Sequence, residues 1–426
     1  MKLSYTLLAV VLTASAATRA QDATATTGAP AQAGQPVSGT LHYDLRYSQA
    51  TQLGNNEGGV EVIFASGDAS YANISKRLPF SMQYGGGYSW SWGGQPSTGN
   101  VFQHLALSQG VIGHAWKLAA SENVSYSFET PTTGFSGVPG TGGSLSGSGS
   151  PDQTILSLNS RTVDNTTTVS FTDRLNHAVS LNAGGSWGQL RFIDGNGEDT
   201  NTQMAMGGIT RRLDARNSIS GQYSFLQYSY SGISYTAQTN TLQFGYSRQW
   251  NRQFSTAVSA GPMWISSSGT PGAGIAPAPD STMLSLDASA NYVLRRGSAS
   301  VSYTHGTTGG SGYFLGSKID NVSANYSRNF GKKLTTEVTG AYMRTASLSA
   351  LGPFKITGVT NAKFVGGQAT RRLGHYMNVF ADYTAISQSS NVQISLLNYN
   401  STVLNGVYQV ISFGIGYSPR DRRFGK

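Results

Sequence analysis

The sequence predicts an all-β protein, a transmembrane antiparallel up-and-down β-barrel of about 18 strands, with 16 as the alternative count. Three observations predict it. Apolar and polar residues alternate with a period of two along most of the chain, and short basic turns recur at intervals that fit pairs of strands. After the first 20 residues, no apolar run approaches the roughly 18 residues that a membrane-spanning helix needs. A membrane-embedded mature chain is therefore expected to cross as strands.

The first 20 residues have the pattern of a secretory signal peptide. Met1-Lys2 is followed by an apolar stretch from Leu3 to Ala17 and by small residues ending at Ala20. Cleavage is expected after Ala20, with Ala14-Ser15-Ala16 as a second candidate site. Residues 21–37 have little to bury and predict a disordered periplasmic leader. Residues 38–419 are predicted to form the barrel, and residues 420–426 a basic C-terminal tail.

The composition limits the class of protein. The chain has no cysteine, which excludes disulfides, thiolate metal sites and a lipid-modified cysteine. Only 12% of its residues are charged, whereas about a quarter is usual for soluble proteins. Glycine (53 residues) and tyrosine (22 residues) are abundant instead. No metal-ligand spacing and no phosphate-binding glycine motif occurs, so no cofactor is predicted.

The alternation assigns each strand an apolar and a polar face. In residues 284–292, every even position is apolar and every odd position is polar. The same alternation occurs in residues 41–48, 242–247, 322–327 and 411–418. In a membrane barrel the apolar set faces lipid and the small polar set faces a wet lumen. We therefore expect Ser, Thr, Asn, Gly and Gln at the inward positions.

Eight short basic turns separate the predicted hairpins. Their residues and the C-terminal tail contain 20 of the 29 Lys and Arg residues. The turns comprise residues 76–79, 113–117, 173–177, 211–216, 248–252, 295–297, 328–333 and 371–375. With both termini on the turn side, eight turns imply nine hairpins and thus 18 strands. The segments Val60–Ser75 and Gln153–Thr172 can each be divided differently, which leaves the count open by two.

This layout resembles that of porin-type bacterial outer-membrane β-barrels over about residues 38–418, as an architecture rather than a matched sequence. The last strand, which closes on Tyr417, is similar to the terminal signal that such barrels present to the barrel-assembly machinery. The extra residues Pro419–Lys426 depart from the family, whose members usually end on the aromatic residue. The resemblance implies export across the inner membrane and insertion among the lipids of a Gram-negative outer membrane.

The parity of the strands selects candidate site residues. The lumen-lining candidates are His42, Asp44, Arg46, His104, Asp287 and Glu337. They are either selectivity groups or solvated charges and salt bridges that brace the wall, and the second interpretation is favoured. The candidate membrane-interface aromatics are Tyr84, Tyr88, Trp90, Trp92 and Tyr417. Glu122 shares the outward parity of its strand, so a bulge or a register change is expected there.

One long Gly/Ser-rich loop has two interpretations. The segment Pro131–Pro151 is either a disordered external loop or an inward-folded constriction. It carries no charge before Asp152, whereas constriction loops usually carry acidic groups. The external loop is therefore favoured.

The predicted function is passive diffusion of small hydrophilic solutes, because barrels of 16–18 strands leave an aqueous channel. The alternatives are a non-conducting adhesin or structural anchor and an export conduit for a polymer. An enzyme is disfavoured: Gly184-Gly185-Ser186-Trp187-Gly188 matches Gly-x-Ser-x-Gly, but no helical period follows it.

The charge and the architecture bear on two classes of partner, nucleic acid and a second copy of the chain. The formal charge of +9 suggests nucleic acid, but the basic residues recur at strand ends rather than along one groove or helix, so no nucleic-acid partner is expected. Homo-oligomerisation stays open, because nothing in the sequence marks a flattened subunit face.

Overall fold

The computed structural model describes residues 40–54, 60–73, 75–93, 98–129, 160–195, 197–232, 234–269, 279–309, 314–348, 358–391, 405–419 and 422–423. Their regular structure consists of 18 long β-strands and one two-residue strand. The strands are β1 Thr40–Leu53, β2 Val60–Asn73, β3 Phe80–Trp92, β4 Thr98–Ile112, β5 Trp116–Glu129, β6 Ser160–Arg174, β7 Val179–Phe192, β8 Thr200–Arg212, β9 Asn217–Tyr230, β10 Tyr235–Gln249, β11 Phe254–Gly269, β12 Ser281–Leu294, β13 Gly297–Thr308, β14 Ser317–Phe330, β15 Leu334–Ser347, β16 Val359–Leu373, β17 Met377–Ser390, β18 Gly406–Tyr417 and β19 Arg422–Arg423. Within these described ranges, no helix is long and apolar enough to cross a membrane.

The strands close into a barrel in chain order. Each strand from β1 to β17 pairs antiparallel with the next one. β18 pairs back with β1, from Leu45 opposite Tyr417 to Leu53 opposite Gln409. The prediction of an 18-stranded antiparallel barrel is confirmed. The described parts of the two segments whose division was open contain one strand each, β2 and β6. The predicted signal peptide and leader lie outside the described residues.

One rim of the barrel consists of tight turns. Eight connections of two to six residues join β2–β3, β4–β5 and every second pair up to β16–β17. In three of them a side-chain oxygen of Asn176, Asp214 or Asn251 accepts the backbone N–H groups two and three residues further on. Such Asx turns fix the chain reversal locally. Gly331 and Gly374 occupy two other turns at φ 71° and 82°, a region that glycine adopts readily.

Contacts across the interior identify the inner face of the wall. Thr307 Oγ1 on β13 lies 3.1 Å from Thr239 Oγ1 on β10, although two strands separate β10 from β13 in the wall. Tyr230 Oη on β9 donates a hydrogen bond of 2.8 Å to the carbonyl oxygen of Gly309. Only the interior lets these segments meet, so the face that carries Tyr230 and Thr239 is the inner one. The strand register then assigns a face to the residues of the wall. The loop-side end of β13 is an exception, because it separates from β12 after His305 and brings Thr307 into the interior.

The outer face is apolar and exposed. Phe413 and Phe244 there have exposed fractions of 64% and 63%. The five predicted interface aromatics lie on the same face and are also exposed: Tyr84, Tyr88, Trp90, Trp92 and Tyr417. Their role at a membrane interface stays a prediction.

The inner face is not polar throughout, as the sequence had suggested. Towards the long loops it carries buried apolar residues in three clusters: Ile319, Met343, Ala362, Phe364 and Ile386; Tyr228, Tyr230, Tyr235, Ala237 and Leu315; and Ala50, Val62, Phe64 and Val410. The expectation of small polar inward residues is therefore wrong for the loop-side part of the wall. In β9 the apolar positions change parity, from Tyr223 and Phe225 facing outward to Tyr228 and Tyr230 facing inward.

The bulge or register change expected at Glu122 does not occur. Pairing runs without interruption through β4, β5 and β6, with Leu107 opposite Glu122 and Glu122 opposite Thr167. Glu122 thus lies on the outer face, and Thr167 Oγ1 donates a hydrogen bond of 2.5 Å to its Oε2. A local hydroxyl donor, rather than a shift of the backbone, accommodates the carboxylate.

Candidate functional site in the barrel lumen

Three of the predicted lumen residues form a charged row on β1. His42, Asp44 and Arg46 all share the inner face, since they alternate with the outward Tyr43 and Leu45. His42 Nε2 lies 3.3 Å from Asp44 Oδ2, and Arg46 Nη2 lies 3.7 Å from the same oxygen. The Asp44 side chain is only 4% exposed. Asp44 is therefore held against the wall by two basic neighbours rather than projecting into open water.

Asp68 on β2 lies directly opposite Asp44. The row of register partners continues from Asp68 through Gly85 to His104 on β4. It then continues through Ser125 to Asp164 on β6. This row links the predicted His104 to the Asp44 site through successive register partners, and because the strands tilt, His104 lies nearer the loops than Asp44 does. Asp68 and Asp164 were not predicted, although the parity rule that selected Asp287 also applies to their strands.

Two further inward acids lie on β15 and β17. Glu337 on β15 and Asp382 on β17 are both register partners of Gln368 on β16. Asn325 Nδ2 donates a hydrogen bond of 2.7 Å to Glu337 Oε1, and Ser412 Oγ donates one to Asp382 Oδ2. Each carboxylate is thus oriented by a neutral donor. Asp382 was missed, yet it precedes the outward Tyr383 and has the inward parity.

Asp287 on β12 is oriented across a neighbouring strand. Gln243 Nε2 on β10 donates to Asp287 Oδ2 at 2.6 Å and to Ser285 Oγ at 2.8 Å. Between them, the inward position of β11 is Gly261, which has no side chain to block the reach. A Cβ at Gly261 would lie 1.8 Å from the carbonyl oxygen of Leu242, so the close approach of β10 and β11 requires glycine.

The interior of the wall is acidic. Among the described residues, six carboxylates occupy inward positions away from the strand ends: Asp44, Asp68, Asp164, Asp287, Glu337 and Asp382. In the same region, Arg46 is the one inward guanidinium or ammonium group. Lys117, Arg174, Arg212 and Arg372 also have inward parity, but they lie at the turn rim. A solute entering from the turns therefore passes a basic rim before an acidic interior.

The described ends of the connection between β13 and β14 lie inside the loop side of the barrel. Phe314 and Leu315 have exposed fractions of 1% and 4%, and Leu315 packs against Tyr228, Tyr230 and Tyr235 of β9 and β10. The Tyr230 bond to Gly309 fixes the start of this connection, and Leu348 N–H donates to the Gly316 carbonyl oxygen at its end. The described part of this connection therefore extends inward to the β9–β10 wall.

The sequence offered a different segment, Pro131–Pro151, as the alternative for an inward-folded constriction. The Gly/Ser-rich segment Pro131–Pro151 lies outside the described residues. The sequence signal for the inward connection is the apolar pair Phe314-Leu315 within a glycine-rich loop, since an external loop gives such residues nothing to pack against.

The described residues offer no constellation typical of an enzyme. Gly184–Gly188 lies inside β7, with strand on both sides, so the strand-to-helix elbow that the motif requires is not formed. Within the described ranges, no group of three or more His, Asp or Glu residues is placed to hold a metal ion.

Comparisons with known proteins find similarity in structure only. No family model matches the chain, and no curated protein matches it. Among solved structures, the chain is similar to OpdQ of Pseudomonas aeruginosa, with 11% identity, a TM-score of 0.41, and 89% of this chain and 98% of that chain covered. It is also similar to OccK2 (OpdF) of P. aeruginosa in complex with glucuronate, with 11% identity, a TM-score of 0.41 and coverage of 92% and 100%. OccAB3 of Acinetobacter baumannii follows, with 9% identity, a TM-score of 0.40 and coverage of 89% and 99%.

Proposed function

We propose that this protein is a channel of the bacterial outer membrane through which small hydrophilic solutes diffuse passively, with a preference for cations. The sheet closes on itself between β18 and β1, and its outer face is apolar, as a barrel in lipid requires. Eighteen strands about 4.8 Å apart, tilted by about 40°, enclose a backbone cylinder roughly 35 Å across. Side chains alone do not fill such a cylinder.

The observation that carries the cation preference is the excess of inward carboxylates. The described interior of the wall, away from the strand ends, contains six inward carboxylates and one inward guanidinium. Rings and rows of carboxylates favour cations and disfavour anions, because the low-dielectric wall focuses their field into the pore. Fixed donors such as Asn325 and Gln243 hold these carboxylates in place while solutes pass. No residue is assigned a catalytic role.

The inward connection between β13 and β14 sets the upper limit on solute size in this proposal. It lies at the loop-side end, where the apolar clusters leave little exposed inner wall. Solutes therefore meet a wide polar chamber on the turn side and a narrower passage on the loop side. The turn side is assigned to the periplasm, and the long loops to the exterior.

The experiment that tests this function is conductance of the refolded mature protein in a planar bilayer, together with swelling of liposomes in sugars of increasing size. Discrete steps of conductance and swelling up to a defined solute size are expected. A heat-modifiable, folded barrel that conducts no ions and admits no sugar would contradict the proposal.

A non-conducting anchor or adhesin is the second candidate, and a polymer export conduit the third. The observation that favours them is the burial of the loop-side inner wall, where Phe364 and Ile386 are each 1% exposed. Deletion of residues 309–316 separates these functions from a constricted channel. A silent barrel that conducts after the deletion is a gated conduit, whereas one that stays silent is an anchor.

Outer-membrane lipids, the barrel-assembly machinery and a second copy of the chain complete the proposed partners. The apolar outer face supports contact with lipids. The terminal strand, ending on the exposed Tyr417, supports recognition by the assembly machinery.

A further inference from the structure

The seam between β12 and β13 is open at its loop-side end. The ladder between these strands ends where Leu286 lies opposite His305. Beyond this level β12 continues to Ser281 and β13 to Thr308, but among the described residues neither strand end has a register partner on the other. The end of β12 stays in the wall, because all of it remains paired with β11. The end of β13 is therefore the part that leaves the wall.

The loop-side ends of β13 and β14 lie together in the interior. Thr307 Oγ1 donates a hydrogen bond of 3.1 Å to Thr239 Oγ1 on β10 and lies 4.0 Å from Met263 Sδ on β11. Adjacent strands are about 4.8 Å apart, so β10 and β13 would be about 14 Å apart within the wall. Gly306–Thr308 stay paired with Ser317–Ile319 of β14. The two strand ends are thus displaced inward as one unit.

The register gives Thr307 a second possible position. Continuation of the ladder from Leu286 and His305 would place Thr307 opposite Leu284. Leu284 lies on the outer face and is 56% exposed, so Thr307 would then face outward. The loop-side edge of β12, Ser281–Ser285, has backbone groups that can receive a strand, since its only register partners in the described chain are on β11. The end of β13 can thus pair with this edge or pack against β10.

The level at which the strands separate is linked from β13 to β14. His305 Nδ1 lies 2.6 Å from Asp320 Oδ1, and Tyr303 Oη donates to the same oxygen at 3.1 Å. These side chains join β13 to β14, whereas the contact of His305 with β12 is its register position opposite Leu286. The ends of β13 and β14 can therefore move together while the seam to β12 opens or closes.

The inward position depends on a close fit between small residues. Gly316 has φ 77°, and a Cβ added there would lie 3.3 Å from the Cβ of Ala237 on β10. Ala237 is 1% exposed and belongs to the cluster of Leu315 and three tyrosines. A larger side chain at position 237 would leave no room for Gly316 beside it. The inward position is therefore more sensitive to this side chain than a position within the wall.

We infer that the loop-side ends of β13 and β14 form a gate with two positions. In the inward position Thr307 contacts Thr239, and the strand ends lie inside the barrel. In the outward position β13 pairs with the free edge of β12, and the strand ends return to the wall and widen the passage. The two positions satisfy different groups, so a modest free-energy difference decides their populations. The gating role rests on the proposed channel function, whereas the two positions of β13 do not.

Crosslinking between introduced cysteines tests the two positions, because the chain has no cysteine of its own. The pair Thr239→Cys/Thr307→Cys captures the inward position, in which the two hydroxyl groups are in contact. The pair Leu284→Cys/Thr307→Cys captures the outward position, in which the two residues are direct register partners. Both pairs are expected to crosslink under mild oxidation of the folded, heat-modifiable barrel in vesicles.

Two further pairs are the controls. Ala288 and Tyr303 are register partners on the paired part of the same seam, so Ala288→Cys/Tyr303→Cys sets the extent of complete crosslinking. Val301 lies opposite Ala290, far from Leu284 along the seam, so Leu284→Cys/Val301→Cys is expected not to crosslink. Crosslinking of Leu284→Cys/Thr307→Cys no greater than that of this negative pair would overturn the inference.

A substitution in the wall tests the equilibrium without a disulfide in the inward position. Ala237→Leu fills the space beside Gly316 and is expected to speed the crosslinking of Leu284→Cys/Thr307→Cys severalfold. Ala260→Leu adds the same side chain to the outer face of β11 and is the matched control, expected to leave the rate unchanged. An unchanged rate in Ala237→Leu would contradict an exchange between the two positions.

Conductance of the crosslinked barrels then tests the gating role. The inward crosslink is expected to abolish the larger conductance steps and the outward crosslink the smaller ones, and reduction of the disulfide should restore both. Identical steps in the two crosslinked forms would overturn the gate. A barrel that forms both crosslinks but is silent in every state would contradict the proposed channel, and with it the gating role, while supporting the two positions of β13.

Discussion

Asp44 and Asp68 are direct register partners on the inner faces of β1 and β2, so that two carboxylates face the lumen side by side. Their repulsion is offset by Arg46 and His42, which flank Asp44 on the same strand at 3.7 Å and 3.3 Å. The wall thus places one cation where two acids meet, and each of the other four inward acids accepts a hydrogen bond from a neutral side chain.

Removal of this cation is expected to change ion selectivity and stability together. In Arg46→Gln the two carboxylates lose their strongest compensation, so the reversal potential in a salt gradient should shift towards stronger cation preference. The variant should also lose about 3 kcal/mol of unfolding free energy, because it removes one of the two basic partners of the buried Asp44 carboxylate beside Asp68. Addition of Asp68→Asn should reverse both effects. Arg191→Gln, on the outer face, is the control, and an unchanged reversal potential in Arg46→Gln would exclude Arg46 as a selectivity group.

The hydrogen bond from Tyr230 to Gly309 is expected to hold the constriction in place. Tyr230→Phe removes one hydrogen bond, worth about 1 kcal/mol, and Leu315→Ala removes an apolar side chain from the tyrosine cluster, which costs about 2–4 kcal/mol of local packing. Both variants should show larger or noisier conductance steps. Tyr223→Phe is the matched control, since it removes a hydrogen bond to Asn240 from the outer face of the same strand. Identical traces in all variants would mean that this segment does not limit the pore.

The turn at Asp214 is expected to make stability depend on pH. The Asn217 side-chain amide donates to this carboxylate, as do the backbone N–H groups of Arg216 and Asn217, and these bonds hold the pKa of Asp214 below its ordinary value. A depressed folded-state pKa stabilises the fold above the unfolded-state pKa of about 3.9, and the contribution is lost as the pH falls through the folded-state pKa. Asp214→Asn should therefore flatten the acid limb of the unfolding free energy below about pH 4.

The control for Asp214 is built into the chain. Asn176 and Asn251 form the same turn with an amide. Asn251→Ala removes two hydrogen bonds, each worth about 1 kcal/mol, and should destabilise to the same extent at every pH. An acid limb of unchanged slope in Asp214→Asn would contradict the assignment.

Glu122 is expected to report the depth of the outer face in the membrane. It lies midway along β5 with Thr167 as its donor. Glu122→Lys should destabilise the barrel in lipid by at most about 2–4 kcal/mol, because a lysine at the bilayer midplane costs that much relative to a neutral residue and the replaced glutamate costs less. Glu61, also on the outer face with a side-chain donor in Gln49, lies at the loop end of β2, where Glu61→Lys should cost about 0–1 kcal/mol. Equal costs for the two variants, measured by unfolding from vesicles, would contradict the proposed membrane level.

The strand order of the barrel was predictable from sequence because it depends on local patterns. Alternation such as that of residues 284–292 is set by the pleat of a single strand, and the turns around Arg295 and Arg371 mark where strands reverse. The same parity places Asp68, Asp164 and Asp382 on the inner face. The alternation is weak around Asp68 and Asp164, where Gly67 and Asn165 interrupt it, whereas Asp382 precedes the outward Tyr383 and was predictable.

The constriction was not predictable in the same way. Tyr230 and Gly309 are separated by 79 residues, and no periodicity reports a contact between distant segments. The loop-side apolar clusters have the same origin: Phe364 and Ile386 face inward and are buried there, so they break the rule that apolar residues face lipid. Glu122 is the opposite exception, a charged residue on the apolar outer face. The hydrogen bond from Thr167 accommodates its carboxylate there.

The reversal potential of single channels in a planar bilayer, with the refolded mature barrel and a potassium chloride gradient, tests the central claim most directly. Discrete conductance steps are expected, with a reversal potential of the sign that marks cation preference. The reason is that the described interior of the wall carries six inward carboxylates and one inward guanidinium. A folded barrel that conducts no ions, or one whose reversal potential marks anion preference, would contradict it.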